Sequence, residues 1–400
     1  MTIVQKVNSF YHNSHKLGFF LSLALCCNVL GFIPTIPQPI IYILLLGCSI
    51  YSLTRKGYCN MLILLLLLYI PIELLLAQPL PLFRSWERFV MFVLLLISVS
   101  PMLNCLTLRD MRWQMLQMVL YTCVIIGVGS FGARFLGINY MIKNKYQLLN
   151  DDMVGLFGGL TTHSMLLGPI SGIGAIFLCT LAFKTKRNIY WVGVFLCIMS
   201  VLFSASRSAL FATLAGVIVV LYKLSKTRRR FVKILVGISL LGLCTFPIWE
   251  SATLGVITKQ QKNIASGGQF SSRQKLWNDR IEEFKSNPIL GVGFVAIGPN
   301  HINSVDKKTG VIEPGSSWLS ILSMTGIIGT LILIPILFSS FLTVWYSNST
   351  CSPLLVGLLT LLFVHMIAEG YIFSAGSFLC FSLWLIMGCA NDQKYMNKSE

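Results

Sequence analysis

Apolar runs long enough to cross a bilayer dominate this chain and decide what it can fold into. They cover roughly 17–35, 38–54, 60–79, 86–104, 115–136, 162–183, 189–204, 206–223, 231–250, 317–346, 352–369 and 372–390. A bilayer core takes about 20 apolar residues of helix. Lipid offers no partner to a backbone N–H or C=O, so such runs span as helices. Only 11% of the residues are charged, against about 25% in soluble domains. That excludes a water-soluble globule. The expected fold is an all-α integral membrane protein of about twelve transmembrane helices, with one large outer loop between helices 9 and 10 that contains short amphipathic helices. The chain then divides into 1–250 (helices 1–9), 251–316 (the loop) and 317–400 (helices 10–12 and a tail).

The formal net charge of +17 would suggest nucleic acid in a soluble protein. Here the positive-inside bias accounts for it. With the N-terminus in the cytoplasm, the cytoplasmic segments carry 17 of the 31 Lys and Arg but only 3 of the 14 acids. The run Lys226–Arg230 nearly fixes this frame, and both termini are then cytoplasmic. The 12 cysteines fall mostly inside apolar runs, with no zinc or disulfide spacing. No small-residue cleavage site follows the first run, so no cleaved signal peptide is expected. No phosphate-binding G-x-x-x-x-G-K-[ST] loop occurs, which disfavours ATP-driven transport. No internal repeat of the kind found in many transporters is visible.

Several polar groups gather on the outer side in this frame. Ser204–Ala209 interrupts two spans and puts Arg207, preceded by Ser206, at the membrane edge. A charge there anchors the interface, pairs, or binds something. In the large loop, Arg273, Trp277, Arg280 and Phe284 recur at helical spacing, and Ser271 with Gln274 has capping-box spacing. The pattern predicts an amphipathic helix over 272–286, either solvated or lying in the headgroup plane with Trp277 and Phe284 in lipid and both arginines at phosphate level. Asn287-Pro288 stops it, and Gly291 and Gly293 follow, suited to positive φ or close backbone approach. His163 stands at the entry of the sixth run after Gly155–Gly158, and Glu369 ends the eleventh. An isolated histidine there is more often a satisfied polar contact than a catalyst. Glu369 is either a functional acid or the partner of an arginine. Asp151-Asp152 reads as a solvated loop rather than a metal site.

The order of these elements resembles the O-antigen ligase and O-antigen polymerase superfamily. The residues that carry the resemblance are Ser206–Ala209, Arg273 with Trp277, Phe284–Gly293, and Ser317 to Gly329. They cover about residues 155–330, and the aromatic-rich last run up to Trp384 also looks like family members. The resemblance implies a glycosyltransferase of the bacterial inner membrane with a periplasmic active site and a periplasmic loop capping a groove between helices. It implies an undecaprenyl-pyrophosphate-linked oligosaccharide as donor and acceptor, membrane lipids and a chain-length regulator as partners, no nucleic acid, no metal and no cofactor. Arg207, Arg273 and Arg280 are then the pyrophosphate-binding residues, supported by His163, Ser206, Trp277, Asn287, Gly291 and Gly293. Planar guanidinium groups suit that ligand, and they would stabilise the charge that grows on the leaving pyrophosphate.

The chain departs from the family at one place. Ligases of the family carry a His-Asn just before the helix of the T-G-I-I-G stretch, where this sequence has Gly315-Ser316. The departure favours a repeat-unit polymerase over a ligase to lipid A core or protein. It leaves the general base open between Glu313, His301 and Glu369. A secondary transporter or flippase of a lipid-linked substrate is the alternative of another class. Such a protein should carry ionisable residues at mid-membrane, and here nearly all charges lie at the ends of runs, Glu73 being the main exception and itself near an outer end. The topology is testable with phosphatase fusions. A fusion after residue 300 should be active and one after residue 228 inactive, and the reverse pattern would overturn the orientation.

Overall fold

The structure is a computed structural model that describes residues 16–55, 57–141, 157–225, 227–244, 257, 261, 273–299, 310 and 312–396. Asp151, Asp152, Gly155, Ser271 and His301 lie outside the described residues. The helices are α1 Lys16–Cys27, α2 Gln38–Leu53, α3 Met61–Ala77, α4 Ser85–Val99, α5 Leu106–Phe135, α6 Ser164–Thr185, α7 Asn188–Phe203, α8 Arg207–Leu224, α9 Arg228–Cys244, α10 Gln274–Ser286, α11 Ser317–Tyr346, α12 Ser352–His365 and α13 Phe378–Met396. Each apolar run overlaps one of these, and α10 is the amphipathic helix of the loop. Four of them, α5, α6, α8 and α11, are long and apolar enough to cross a membrane by length and composition. Two short strands, β1 Tyr58–Cys59 and β2 Leu103–Asn104, pair antiparallel.

Contacts between helix termini define two ends of the bundle. At one end Arg112 of α5 meets Asp392 of α13 at 2.8 Å, and Lys223 of α8 donates to the Trp345 carbonyl of α11. The starts of α6, α8 and α11 lie at the other end, with α10 and segment 366–377. The centre is packed through small residues, as helix association in lipid favours. A Cβ on Gly216 of α8 would come within 2.8 Å of the Gly357 carbonyl of α12.

Helix lengths differ from the apolar runs where backbone must leave the helix. The first run continues to residue 35, but α1 stops at Cys27, and the Asn28 side chain then holds Ile36 through both its amide N–H (2.6 Å) and its carbonyl (3.2 Å). The last run begins at 372, but α13 begins at Phe378. Segment 366–377 is irregular although it contains Tyr371, Ile372 and Phe373. Irregular backbone at that depth is stable only inside protein or along a cavity.

The main irregularity is in α11. Gly326 takes φ +62° and ψ −167° in mid-helix, which releases backbone groups inside an apolar bundle. Segment 288–293 fills the break. Val292 N–H donates to the Ser323 carbonyl (2.8 Å), Gly293 N–H to Met324 (3.2 Å), and Ile327 N–H to Pro288 (2.9 Å). The Tyr69 hydroxyl of α3 donates to the Thr325 carbonyl at 2.7 Å. The two backbones approach so closely that a Cβ on Gly291 (φ +82°) would lie 2.4 Å from the Met324 carbonyl, and one on Gly326 2.2 Å from that of Ile289. The glycines of the Asn287–Phe294 motif are thus required by close approach and positive φ together. Gly291→Ala or Gly326→Ala should therefore destabilise the protein by about 1–3 kcal/mol or more. Gly132→Ala, in α5 with open space around it, should hold or gain up to about 1 kcal/mol. Thermal unfolding in detergent measures both, and equal stabilities would refute the interlock.

Candidate functional site

The interlock carries α10 to one end of the bundle and sets its first residue among acids. Arg273 immediately precedes Gln274 of α10 and is 8% exposed. Its Nη2 donates to Glu369 Oε1 at 2.8 Å, and its Nη1 donates to Glu313 Oε1. Nη2 also lies 3.7 Å from the Met165 sulfur in the first turn of α6. The two carboxylates differ in access. The Glu313 side chain is 65% exposed and that of Glu369 21%. Glu369 is further fixed because its backbone carbonyl accepts from the Ser317 hydroxyl (2.7 Å) and the Ser317 N–H (3.0 Å). Arg273, Glu313 and Glu369 thus form one cluster from three distant parts of the chain.

The start of α8, which bears Arg207, packs against α6 at Gly168. Gly168, three residues beyond Met165, packs so that a Cβ would sit 2.7 Å from Ala209 and 3.2 Å from Ser206 Cβ. Ser206 caps α8 by accepting from the Ala209 N–H, which makes Arg207 its first helical residue. Among the described residues this half-buried guanidinium makes no hydrogen bond or ion pair. The start of a helix carries about half a positive charge and favours anions. A cation there, without an acid, creates a local demand for negative charge. His163 is exposed and caps α6 by accepting from Met165 N–H at Nδ1 (3.1 Å).

Other residues singled out by the sequence occupy different environments. Arg280 is 3% exposed and pairs at 2.8 Å with Glu283, which also accepts the Gly298 N–H at 2.8 Å. Burial pulls the Arg280 guanidinium below its ordinary value, with Glu283 opposing. This pair ties α10 to segment 290–298. The Trp277 ring is half-buried. Its Nε1 donates to the Gly315 carbonyl at 3.0 Å, which ties this residue of α10 to the start of α11. Asn287 ends α10, and its carbonyl accepts from Gly291 N–H (2.9 Å). The place of the ligase His-Asn pair has structural occupants. Gly315 has φ +76° and a Cβ there would meet Leu276 at 2.7 Å, while Ser316 caps α11.

A cavity of about 1070 Å³ opens beside the cluster. Pro314 and Gly370, neighbours in sequence of Glu313 and Glu369, form part of its wall. Arg84 and Arg88 line its rim, and Phe373, Met91 and Met324 its apolar interior. Sequence reasoning missed this rim and also His365. The His365 ring is fully buried, stacks on Tyr371 (centroids 5.7 Å, 28°), and lies within electrostatic reach of Arg273. Neither ring nitrogen has a hydrogen-bond partner among the described residues. Its spacing of four from Glu369 was the available signal.

Residues 192–334 match the family model described as O-antigen ligase. The matched segment runs from α7 into α11 and contains Arg207, Arg273, Arg280 and Glu313, but not Glu369, His365 or His163. It supports the resemblance to the O-antigen ligase and polymerase superfamily. No curated protein matches the chain.

The different environments of the arginines give separable outcomes. Arg280→Ala leaves the Glu283 carboxylate buried and should cost about 3–5 kcal/mol. Arg207→Ala removes no such pair and should leave the unfolding temperature within about 2 °C. Unfolding of the two purified variants checks this, and equal losses would contradict the assignment of Arg280 as a strut.

Proposed function

Starting from an O-antigen ligase domain over residues 192–334, we propose that this chain is a polysaccharide repeat-unit polymerase of the bacterial inner membrane. In this reading it transfers a growing glycan of O-antigen, capsule or exopolysaccharide type from undecaprenyl pyrophosphate to the next lipid-linked unit. The outer end of the bundle faces the periplasm, and the polyprenyl chain enters from the lipid. The single observation that carries the reading is Arg207, a half-buried cation at the positive end of α8 with no acid beside it among the described residues. A diphosphate at the membrane surface supplies the missing charge.

The chemistry follows from the unequal access of the two acids on Arg273. Phosphate oxygens take over the Nη1 face of Arg273 and release the exposed Glu313, while Glu369 holds the guanidinium in place. The acceptor hydroxyl attacks the anomeric carbon, and the bond from that carbon to the pyrophosphate oxygen breaks. The electron pair leaves on the pyrophosphate, where Arg207 and Arg273 stabilise it. Glu313 takes the hydroxyl proton. Arg84 and Arg88, on the rim of the large cavity, hold the second lipid-linked unit.

The name of the matched family favours a second reading, in which the same site passes the finished glycan to lipid A core or protein. Gly315-Ser316 in place of His-Asn argues against it. Glycan banding of a deletion strain separates the two. One repeat unit on the core means a polymerase, and naked core with accumulated lipid-linked polymer means a ligase. In a polymerisation assay with lipid-linked repeat units, Glu313→Gln should lower kcat by about 10²–10⁴. Arg207→Ala should abolish long products while the protein stays inserted. Unchanged chain lengths in both variants would remove the proposed site.

A further inference from the structure

Three helix termini meet at the opposite, basic end of the bundle, and aromatic rings join them. Tyr222 near the end of α8 meets Phe231 at the start of α9 edge-on (5.5 Å, 89°) and stacks on Trp345 near the end of α11 (6.1 Å, 14°). We propose that this junction binds the head group of an anionic phospholipid, one whose phosphate carries no compensating ammonium. The site is independent of the transfer chemistry.

Arg228, Arg229 and Arg230 open α9, and all three are exposed, as is Lys233 in the next turn. None of the four forms an ion pair among the described residues. Asp110 and Asp392, acids of the same end, are held by Arg109 and Arg112. The start of a helix carries about half a positive charge, so three cations there repel both it and one another. The first N–H groups of a helix also have no intrahelical partner, and Thr227 Oγ1 accepts that of Arg230 (3.3 Å). Anionic oxygens would relieve the repulsion and accept from the guanidinium groups.

The spacing along α9 sets this charge at the level of lipid phosphates. Arg228 heads a row continued by Val232, Val236 and Leu240, which are 48%, 51% and 56% exposed. Exposed apolar side chains at every fourth residue form one stripe along a helix. The cation stands about 6 Å beyond the stripe along the axis. The exposed apolar rows of α8 and α11 end likewise in rings with a polar tip, Ile218 followed by Tyr222 and Leu342 by Tyr346. Tyrosines at that level mark a membrane–water interface. Acyl chains lie along the stripe while the phosphate meets the arginines. A zwitterionic head group would set its ammonium against them, and a free phosphate has no part for the stripe.

The turn between α6 and α7 supplies an internal comparison. Lys184, in the last turn of α6, and Lys186, its C-cap, are also exposed. They stand at the negative end of a helix, which compensates them. Native mass spectrometry of the full-length protein tests the site after release from nanodiscs with equal amounts of phosphatidylglycerol, phosphatidylethanolamine and phosphatidylcholine. Phosphatidylglycerol should be retained about tenfold over each of the others, since each cation at a membrane surface contributes about fivefold. Arg228→Gln combined with Arg229→Gln should remove that preference. Lys184→Gln combined with Lys186→Gln, the same change of charge at exposed positions, should leave it within about twofold. No preference for phosphatidylglycerol, or equal losses in the two double variants, would overturn the proposal.

Discussion

Backbone groups freed inside an apolar bundle must find partners, and the break in α11 at Gly326 finds them in segment 288–293. Everything at that end follows from this pairing. It ties the loop to the helices and holds α10 against Gly315 through Trp277. That in turn delivers Arg273 to Glu313 and Glu369. The Arg280–Glu283 pair and the Gly298 amide brace the same joint. A site assembled from three distant stretches is thus positioned by backbone geometry first and by charge second.

Charge then separates the two ends by kind. At the end that bears α10, arginines stand among acids or at a helix start. At the other end, basic residues dominate and acids are few, Asp110 and Asp392 among them. Sealed ion pairs occur at both, Arg280–Glu283 at one end and Arg112–Asp392 at the other, but the buried Arg273 has an open partner. Arg112 and Asp392 are sealed at 0% and 3% side-chain exposure, whereas Glu313 beside Arg273 is open. A sealed pair is strongly destabilised by loss of one partner, while an open partner can exchange for a ligand.

Much of this was legible in the sequence, and the exceptions have physical reasons. Apolar length located the helices, because lipid leaves the backbone no other option. Hydropathy could not mark segment 366–377 as irregular, since Tyr371, Ile372 and Phe373 are as apolar as any span. The periodicity of Arg273, Trp277, Arg280 and Phe284 located α10 but not the direction of its face. The same period serves a helix that covers protein and one that rests on lipid. Arg280 was singled out with Arg273 because both share that face, yet Glu283 claims Arg280 from within the same helix. Gly315 could be read only as a missing histidine until its positive φ and its contact with Leu276 appeared. His365 drew no notice because its importance lies in its neighbours, Tyr371 and Arg273, which only folding brings near.

The bond between Arg112 and Asp392 spans 280 residues of chain. The carbonyls of Ser100 and Leu103 hold the Arg112 guanidinium locally, and Asp392 of α13 supplies its counter-charge. A protein cut short before Asp392 would retain that lone cation in its interior. A carboxylate on α13 thus neutralises a charge buried on α5, which makes the packing of either helix depend on the other.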